Sequence, residues 1–570
     1  MSAPASAETN AEASTTRSSL NEWHTLVFGL PGAATTGFIY AYSSYSNALQ
    51  ESLGFSEGDK ELIGIAASIC NLITFTNGLI LDRTSVRFCC IMGGLIMAVA
   101  YCTFGLVGLQ VLPVGSSAVP LCFFLAFMGN YGASFMVASV FSVLAKNFDA
   151  QRRSQVVSVA KAWVGVSAGV GTTIFVGFFP SDEAASSRLG FLFFVAGVCG
   201  LVPLSISGVL KPIPKEERSL RPLAVPPAWR LPLCYVLTIL LIATALASTI
   251  SRQMGFAIAL VIMLVSPFLL LLPHPEHAAA KGSQSAADDP ITTATLIGVA
   301  EATATHGPSP LEGGPLVMMR TPEFYLLFAS TFAIQSGGLF LTTNLGSMTE
   351  ARSGPTIAAA TCVTIFSCSQ GLARLFTGLI TDNLVGCGMP RTLYFAVLMA
   401  LMAGAHALLC LSGPMALIAG TALGGVAFGS VYPLLVLSVA ELFGRERVAS
   451  NYMIFDGMPG AIGVFLIAKV LASAVYDAHV DQDSEGGSGS AGSAGKCVGD
   501  ECFRLAHMVI VVIELSGVVL GIILAFRTRS IYRTLAPPRA ASSSRTTEVT
   551  PAQAQVRVLE DPINHQGVRE

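Results

Sequence analysis

Four charged side chains interrupt stretches of the chain that are otherwise apolar: Lys161, Arg374, Asp456 and Glu514. A charge in the hydrocarbon core of a membrane costs about 3 kcal/mol on insertion scales, so such residues usually have a partner or a function. Two of them are cations, and the planar fork of an arginine suits a carboxylate. Their types therefore indicate a site for a small anion, with Glu514 either a protonatable group or a packed structural acid. His406 and Lys469 are weaker candidates of the same kind.

Three of these charges fall at a similar depth along their helices. Lys161 and Asp456 each follow an arginine, Arg152 or Arg447, by nine residues. Nine residues of α-helix rise about 13 Å, and the same measure places Arg374 about 12 Å from the same face. This arrangement favours a polar cluster in a central cavity. The alternative is a structural ion pair between Lys161 and Asp456 that holds one conformation.

The composition indicates what kind of protein must position these residues. The chain has 570 residues, of which 52% are hydrophobic and 12% are charged, whereas soluble proteins carry roughly a quarter charged residues. Apolar runs of about 20 residues, long enough to cross a ~30 Å hydrocarbon core as helix, recur throughout. The sequence therefore predicts an all-α polytopic protein in a lipid bilayer. Its basic residues are scattered over short loops, which is not typical of a nucleic-acid-binding protein.

The apolar runs predict fourteen spans in a six, two, six arrangement. They are 24–48, 61–81, 88–110, 119–145, 155–179, 189–210, then 231–249 and 255–273, then 324–344, 356–381, 392–412, 415–438, 450–476 and 505–526. The expected divisions are a disordered tail (1–23), an N-terminal six-helix bundle (24–210), a basic linker with two extra transmembrane helices (211–273), a flexible linker (274–322), a C-terminal six-helix bundle (323–526) and a disordered tail (527–570). We expect both tails and the flexible linker to be cytoplasmic.

Two pairs of stretches show that the chain contains an internal repeat. "GLILDRTSVR" (78–87) is echoed by "GLITDNLVGCGMPR" (378–391), at an offset of 300 residues. "NFDAQRRSQVVSVAKAWVG" (147–165) is echoed by "LFGRERVASNYMIFDGMPG" (442–460), at an offset of 295 residues. Parallel repeats of six helices, with a site at the midplane between the halves, are typical of major facilitator transporters. The sequence thus predicts two pseudo-symmetric six-helix bundles.

Several stretches resemble a known family. The stretch at 78–87 resembles the loop signature of the major facilitator superfamily, with Ser85 where a glycine is usual. "GFIYAYSSYSNALQESLGFS", "VVSVAKAWVGVSAG", "GLARLFTGLITD" and "KCVGDECF" resemble its nodulin-like family, as do the two extra central spans. The resemblance implies that Asp82, Arg83 and Asp382 brace neighbouring helices in one conformation and release them in another. Ordinary interfacial charge is the alternative for these three residues.

The basic residues of the loops predict the orientation of the spans. With the N-terminus inside, the cytoplasmic side carries sixteen of them: Arg83, Arg87, Lys146, Arg152, Arg153, Lys211, Lys215, Arg218, Arg221, Arg230, Arg391, Arg445, Arg447, Arg527, Arg529 and Arg533. The other side carries Lys60, Arg188, Arg252, Arg352, Lys496 and Arg504. The bias favours two cytoplasmic termini. It places Cys497 and Cys502 on the extracytoplasmic face, where a disulfide can persist and two free thiols are the alternative. The plasma membrane and an endomembrane are both consistent with the sequence.

The leading functional hypothesis is secondary transport of a small polar solute by alternating access. The two cations favour a small organic anion as the substrate. Proton coupling at Glu514 is a further hypothesis. A divalent-metal transporter, suggested by some nodulin-like members that move iron, would need Asp456, Glu514 and His406 to converge. A receptor or scaffold is the alternative from another class. "GSGSAG" (487–492) lacks the flanking strand and helix of a nucleotide site, and "SVAK" (158–161) lacks the companion motifs of a serine enzyme. We therefore expect no enzymatic activity and no cofactor.

Overall fold

The computed structural model describes residues 21–38, 42–179, 184–213, 227–250, 254–271, 311–353, 359–475 and 499–535. Over these residues the protein is built from helices, and no strand occurs in them. The helices are α1 (Glu22–Gly37), α2 (Tyr42–Leu53), α3 (Glu57–Cys70), α4 (Phe75–Arg83), α5 (Val86–Gly108), α6 (Ala118–Asn147), α7 (Ala150–Phe178), α8 (Ala185–Leu189), α9 (Phe191–Ile206), α10 (Pro227–Ile250), α11 (Met254–Val265), α12 (Pro315–Met318), α13 (Pro322–Ser353), α14 (Ala359–Gly386), α15 (Leu393–Leu409), α16 (Pro414–Leu442), α17 (Val448–Gly463) and α18 (Glu501–Leu535).

The predicted spans agree with these helices. Each of the fourteen spans, where the structure describes it, is mainly helical. Span 255–273 continues from α11 into a 3-10 helix (Ser266–Leu271), and span 450–476 continues from α17 into a π-helix (Val464–Leu471). Within the described parts of the chain, ten helices are long and apolar enough to cross a membrane, or eleven if the bent pair α3 and α4 counts as one span. The prediction of an all-helical polytopic membrane protein is confirmed.

Local sequence explains where several helices begin. The side-chain oxygen of Asn21 accepts hydrogen bonds from the backbone amides of Trp23 and His24, at 3.1 and 3.2 Å, and so caps the start of α1. Ser85 caps α5 in the same way, because its hydroxyl oxygen accepts a bond of 3.2 Å from the amide of Phe88. The residue that departs from the superfamily signature therefore has a local structural role.

The second predicted span is broken rather than continuous. The segment between Cys70 and Phe75 is a turn, and the axes of α3 and α4 differ by 42°. Asn71 in this turn accepts a hydrogen bond of 2.9 Å from the side-chain amide of Asn130 in α6. A polar contact inside the bundle thus accompanies the break, which the apolar pattern alone does not reveal.

The halves of the molecule meet along two pairs of helices. α7 of the first half packs against α14 of the second, and α4 of the first half packs against α17 of the second. The two extra helices, α10 and α11, pack beside α7, and α10 also contacts α14. The helices that the sequence repeat relates therefore form the interface between the halves.

Glycines make this interface close at one end. A Cβ atom on Gly78 of α4 would stand 2.6 Å from the carbonyl oxygen of Ala449 in α17, and one on Gly378 of α14 would overlap the backbone of Ser154 in α7. Contacts this close exclude any side chain, so glycine is required at both positions. Gly78 and Gly378 are related by the repeat, as are Ser154 and Ala449, so the two contacts are pseudo-symmetric. We call the end of the molecule where they lie the basic face.

Two boundaries differ from the prediction. The end of the predicted flexible linker is ordered, because the Asn451 side-chain amide donates a hydrogen bond of 2.8 Å to the carbonyl of Gly313 and α12 follows. At the other end of the chain, α18 continues beyond the predicted span limit of 526 to Leu535. Arg527 accounts for part of this extension, since its guanidinium lies 2.8 Å from the carboxylate of Glu323 in α13.

Candidate functional site

Lys161 and Asp456 form an ion pair between the two halves. Lys161 extends from α7 and Asp456 from α17, and the ammonium nitrogen lies 3.3 Å from the Asp456 Oδ1 atom. The two side chains are 3% and 17% exposed. Their equivalent places in the repeat bring them to the interface from opposite sides. The structure therefore joins two of the charges that the sequence placed at one depth.

Aromatic side chains surround this pair. The Tyr452 hydroxyl accepts a hydrogen bond from the Lys161 ammonium and donates one to the Asp456 carboxylate. The ammonium also lies 4.0 Å from the ring centroid of Phe141 and 4.9 Å from that of Tyr452. Cations are attracted to aromatic faces most strongly where water is excluded. The charge of Lys161 is thus compensated by one carboxylate, one hydroxyl and two rings.

Arg374 lies beside the pair, on α14. Its Nη1 atom donates a hydrogen bond of 3.4 Å to the carbonyl oxygen of Lys161, and Nη2 donates one of 3.1 Å to the side chain of Gln370. The guanidinium carbon stands 4.7 Å from the ring centroid of Tyr432, and the Lys161 ammonium stands 5.7 Å from the same ring. Both cations thus lie close to the ring of Tyr432. We call Lys161, Tyr432, Tyr452, Asp456 and Arg374 the central cluster.

Gly165 makes room for Arg374. A Cβ atom on Gly165 of α7 would stand 3.1 Å from the Nη1 atom of Arg374. Gly460, its counterpart in the repeat, stands beside Gln335 of α13, and a Cβ atom on Gly460 would lie 2.7 Å from the Gln335 Oε1 atom. Each glycine therefore lets a polar side chain approach its backbone, but Gly165 does so across the interface and Gly460 within its own half.

Glu514 and His406 lie together in a different place. His406 of α15 and His507 of α18 join through their Nδ1 atoms at 2.9 Å. A Cβ atom on Gly337 of α13 would stand 3.0 Å from Glu514 Oε1 and 3.2 Å from His406 Nε2, so both side chains face that glycine. All three titratable side chains are fully buried. We call His406, His507 and Glu514 the C-terminal cluster.

The predicted metal ligands do not converge. Asp456 belongs to the central cluster, whereas Glu514 and His406 belong to the C-terminal cluster. Among the described residues, no group of three or more His, Cys, Asp or Glu side chains is arranged to hold a metal ion. Lys469, the other weak candidate, pairs with the exposed carboxylate of Glu61 at 3.4 Å.

The residues expected to brace the helices lie at the basic face. Asp382 accepts a hydrogen bond from Ser154 of the other half and pairs with Arg391 at 3.0 Å. Arg391 also pairs with Glu441 at 3.0 Å. The predicted span ends at residue 381, but α14 continues past Asp382 to Gly386.

Asp82 and Arg83 occupy the last turn of α4, where both are exposed. They line a cavity of about 880 Å³, which also contains Lys146, Glu446 and Arg447. The two pseudo-equivalent loops therefore have different surroundings. One aspartate is bonded across the interface, and the other faces an open basic cavity.

The structure describes one of the two cysteines of the predicted disulfide. Cys502 is buried in the first turn of α18. Cys497 lies outside the described residues. The Cys497–Cys502 disulfide therefore stays a prediction.

Sequence reasoning missed the tyrosines and one histidine of these clusters. Tyr452 precedes Asp456 by four residues and His507 precedes Glu514 by seven, spacings that place each pair on one face of a helix. That periodicity is the signal that would have found them. Tyr432 carries no such signal, since only the packing of α16 against α7 and α14 brings it between the two cations.

Comparison with known sequences assigns a family to this arrangement. The sequence model described as Nodulin-like matches residues 22–274, and the model of the NFD4 C-terminal domain matches residues 311–534. The two matches together span both halves and the extra helices between them. The chain belongs to the nodulin-like family of the major facilitator superfamily.

Individual relatives agree with that assignment. The chain is 22% identical over 555 residues to the Arabidopsis thaliana protein NUCLEAR FUSION DEFECTIVE 4, with 93% of each chain covered. It is 31% identical over 153 residues to the oxalate:formate antiporter of Oxalobacter formigenes, which covers 26% of this chain and 35% of that protein.

A solved structure shows the same fold. The proton:xylose symporter XylE, a major facilitator protein bound to 6-bromo-6-deoxy-D-glucose, aligns with a TM-score of 0.51 and 12% identity, covering 89% of this nodulin-like chain and 95% of that one. The predicted fold is confirmed. Family membership also confirms that the nodulin-like protein is a transporter and not an enzyme.

Proposed function

We propose that this protein is a secondary transporter that moves a small organic anion by alternating access, with the central cluster as the substrate site. The observation that carries the proposal is that two cations lie close together at the interface between the halves. Lys161 and Arg374 bring two cations to one tyrosine ring, and Asp456 is the carboxylate paired with Lys161. A small carboxylate is an anion that both cations would attract.

Arg374 suits this role because of the shape of its side chain. Its guanidinium can form two parallel hydrogen bonds with one carboxylate, an interaction about twice as strong as a neutral hydrogen bond. In the present conformation these donors contact a backbone carbonyl and Gln370, at 3.4 and 3.1 Å. Both are neutral acceptors, which an anion can replace with a gain in electrostatic energy.

The glycine contacts at the basic face support alternating access. Gly78 and Gly378 allow the helix ends of the two halves to touch, so that face is closed in this conformation. Opening it requires the Ser154–Asp382 hydrogen bond between the halves to break. Asp382 and its counterpart Asp82, with Arg83, are therefore proposed to stabilise the closed state of this gate.

A relative supports the choice of substrate class. The oxalate:formate antiporter, by its name, exchanges two small carboxylates. The iron alternative is less well supported, because Asp456 is separated from Glu514 and His406 among the described residues. The proposed substrate class is accordingly a small carboxylate.

Uptake into proteoliposomes tests this function. The purified full chain would be reconstituted and offered labelled oxalate, formate, amino acids and ferrous iron in parallel. We expect saturable exchange of a carboxylate, inhibited by unlabelled carboxylates. Transport of iron without any carboxylate exchange would overturn the proposal. Glu501→Gln provides a matched control, since this acid is exposed and lies outside both the central cluster and the proposed gate.

The orientation is a separate proposal. The basic face, which includes the exposed Cys387, is proposed to be cytoplasmic, and Cys497 and Cys502 are proposed to form an extracytoplasmic disulfide. In intact cells, a membrane-impermeant thiol reagent should label the Cys387→Ser variant only after reduction. Labelling without reductant would exclude the disulfide. Labelling only after permeabilisation would reverse the orientation.

A further inference from the structure

Glu514 is a carboxyl group that the proposed substrate site does not use. It lies on α18 among apolar side chains and is fully buried. Neither of its oxygens has a hydrogen-bond partner among the described residues, and the same is true of His507 Nε2. An ionised carboxylate without a partner is very costly in such an environment, whereas a protonated one is tolerated. A proton is the simplest ligand that would neutralise it there.

The two histidines form the rest of a proton-accepting network. The Nδ1 atoms of His406 and His507 are 2.9 Å apart, so one ring donates and the other accepts. His406 then presents its Nε2 atom to Gly337, which Glu514 faces from the other helix. Gly337 has no side chain to separate them. Two titratable groups, one from α15 and one from α18, therefore face one glycine of α13, and His507 is hydrogen-bonded to one of them.

The other described charged groups on these helices lie at their ends, and several of them are paired. Glu323 of α13 pairs with Arg527 of α18 at 2.8 Å, and Arg352 of α13 pairs with Asp500 at 3.3 Å. Glu501 and Arg504 pair with each other in the first turn of α18. Arg391, just before α15, pairs with Asp382 and Glu441. Near the middle of the helices, the described titratable group that faces the same glycine as Glu514 is His406, which is hydrogen-bonded to His507.

α13 connects this network with the central cluster. Next to Gly337, Ser336 contacts Gly463 of α17, and Gln335 donates a hydrogen bond of 3.3 Å to the carbonyl oxygen of Phe455. Phe455 immediately precedes Asp456. One helix therefore touches Glu514 on one face and the backbone beside the substrate-site carboxylate on the other.

We infer that Glu514, with His406 and His507, is a proton-binding site inside the C-terminal half, and that α13 links its protonation to the central cluster. The proton site follows from the C-terminal cluster alone. The link to transport rests on the proposed function. Proton binding would make Glu514 neutral and free α13 to move against α17, and proton release would leave a carboxylate that requires a different packing.

Infrared spectroscopy of the purified full chain tests the proton site. At neutral pH exposed carboxyl groups, whose ordinary pKa values are about 4, are ionised. We expect the carbonyl stretch of a protonated carboxylic acid in the wild type and in Glu501→Gln, and its loss in Glu514→Gln. We also expect His406→Asn or His507→Asn to change the pH at which the band disappears. Absence of the band in the wild type, or its persistence in Glu514→Gln, would overturn the proton site.

Glutamine is a close mimic of the protonated acid, so Glu514→Gln should insert and fold. If it aggregates while Glu514→Asp folds, the ionised form is the one the fold needs, and the inference is wrong.

Transport assays distinguish a failure of the link between Glu514 and the central cluster from a failure of the proposed function. In proteoliposomes, Glu514→Gln should retain exchange of labelled oxalate at equal concentrations on both sides but lose accumulation driven by a proton gradient. Wild-type exchange that no proton gradient affects would overturn the link and leave the proposed function standing. Absence of oxalate exchange in the wild type would overturn the link and the choice of oxalate, while the infrared result would still decide the proton site.

Discussion

The central cluster and the C-terminal cluster are both buried among apolar helices, but their partners come from different places. In the central cluster, the charge of Lys161 meets the charge of Asp456 across the interface between the halves, at 3.3 Å. In the C-terminal cluster, Glu514 lies near His406 of its own half, and its oxygens have no hydrogen-bond partner among the described residues. A pair that spans the interface can separate when the halves move. For an acid enclosed in one half, a proton is the neutralising ligand that we infer.

Breaking the central pair should give the largest effect. Removing one partner of a buried ion pair typically costs about 3–5 kcal/mol, because the other charge is left uncompensated. Lys161→Ala and Asp456→Ala should each abolish transport and lower the folded fraction in size-exclusion chromatography. The swapped double variant, Lys161→Asp with Asp456→Lys, should recover part of that fraction.

Transport by the swapped variant shows what Lys161 does. If Lys161 contacts the substrate, the swap moves a cation to the opposite half and should restore folding without transport. If the pair is purely structural, the swap should restore both. A fully active Lys161→Ala variant would leave Lys161 with no role in either case.

Arg374→Lys should give a smaller loss with an intact fold. Lysine keeps the charge but not the planar fork, and hydrogen bonds to charged groups are worth about 1.5–3 kcal/mol. The half-saturating carboxylate concentration should therefore rise by roughly ten- to a hundredfold. An unchanged value would remove Arg374 from the substrate site.

Glu514→Met should show that the two clusters contribute differently to the stability of the fold. Removing an unsatisfied buried polar group recovers its desolvation cost, of about 1–3 kcal/mol, if the replacement fills the space. The melting temperature of this variant should therefore equal or exceed that of the wild type, whereas that of Lys161→Ala should fall. A strong destabilisation by methionine would show that Glu514 has a polar partner in the folded state.

Lys469→Gln is the matched control and should have the smallest effect. Lys469 also pairs with an acid of the other half, Glu61, but this pair is solvent-exposed, with 69% of the Glu61 side chain accessible. Exposed pairs contribute at most about 1 kcal/mol, so transport should change by less than about fivefold. A loss of transport as large as that of Lys161→Ala would show that solvent exposure does not determine how much each lysine contributes.

Much of the architecture could be predicted from the sequence. The lengths of the apolar runs predicted the helices, because a hydrocarbon core leaves few alternatives to a helix of about 20 residues. The repeat predicted which helices correspond, and the pseudo-symmetric contacts of Gly78 and Gly378 agree with it. Charge in apolar runs predicted Lys161, Arg374 and Asp456, which the structure brings together.

The remainder depends on helix rotation and packing, which one sequence does not specify. Glu514 and His406 were considered as ligands beside Asp456, but α15 and α18 turn them towards Gly337. The turn after Cys70 and the approach of Tyr432 to two cations also arise from contacts between distant segments. Such contacts leave no local pattern in the residues that form them.

The separation of Lys161 and Asp456 along the chain has a consequence for biosynthesis. The two residues are 295 positions apart, which corresponds to about 15–60 s of translation at about 5–20 residues per second. During that interval a lysine enters the membrane before its carboxylate has been made. Phe141 belongs to the half that is already synthesised, and its ring centroid lies 4.0 Å from the Lys161 ammonium. Until the second half has been synthesised, the ring can stabilise the ammonium through a cation–π interaction of about 0.5–2 kcal/mol.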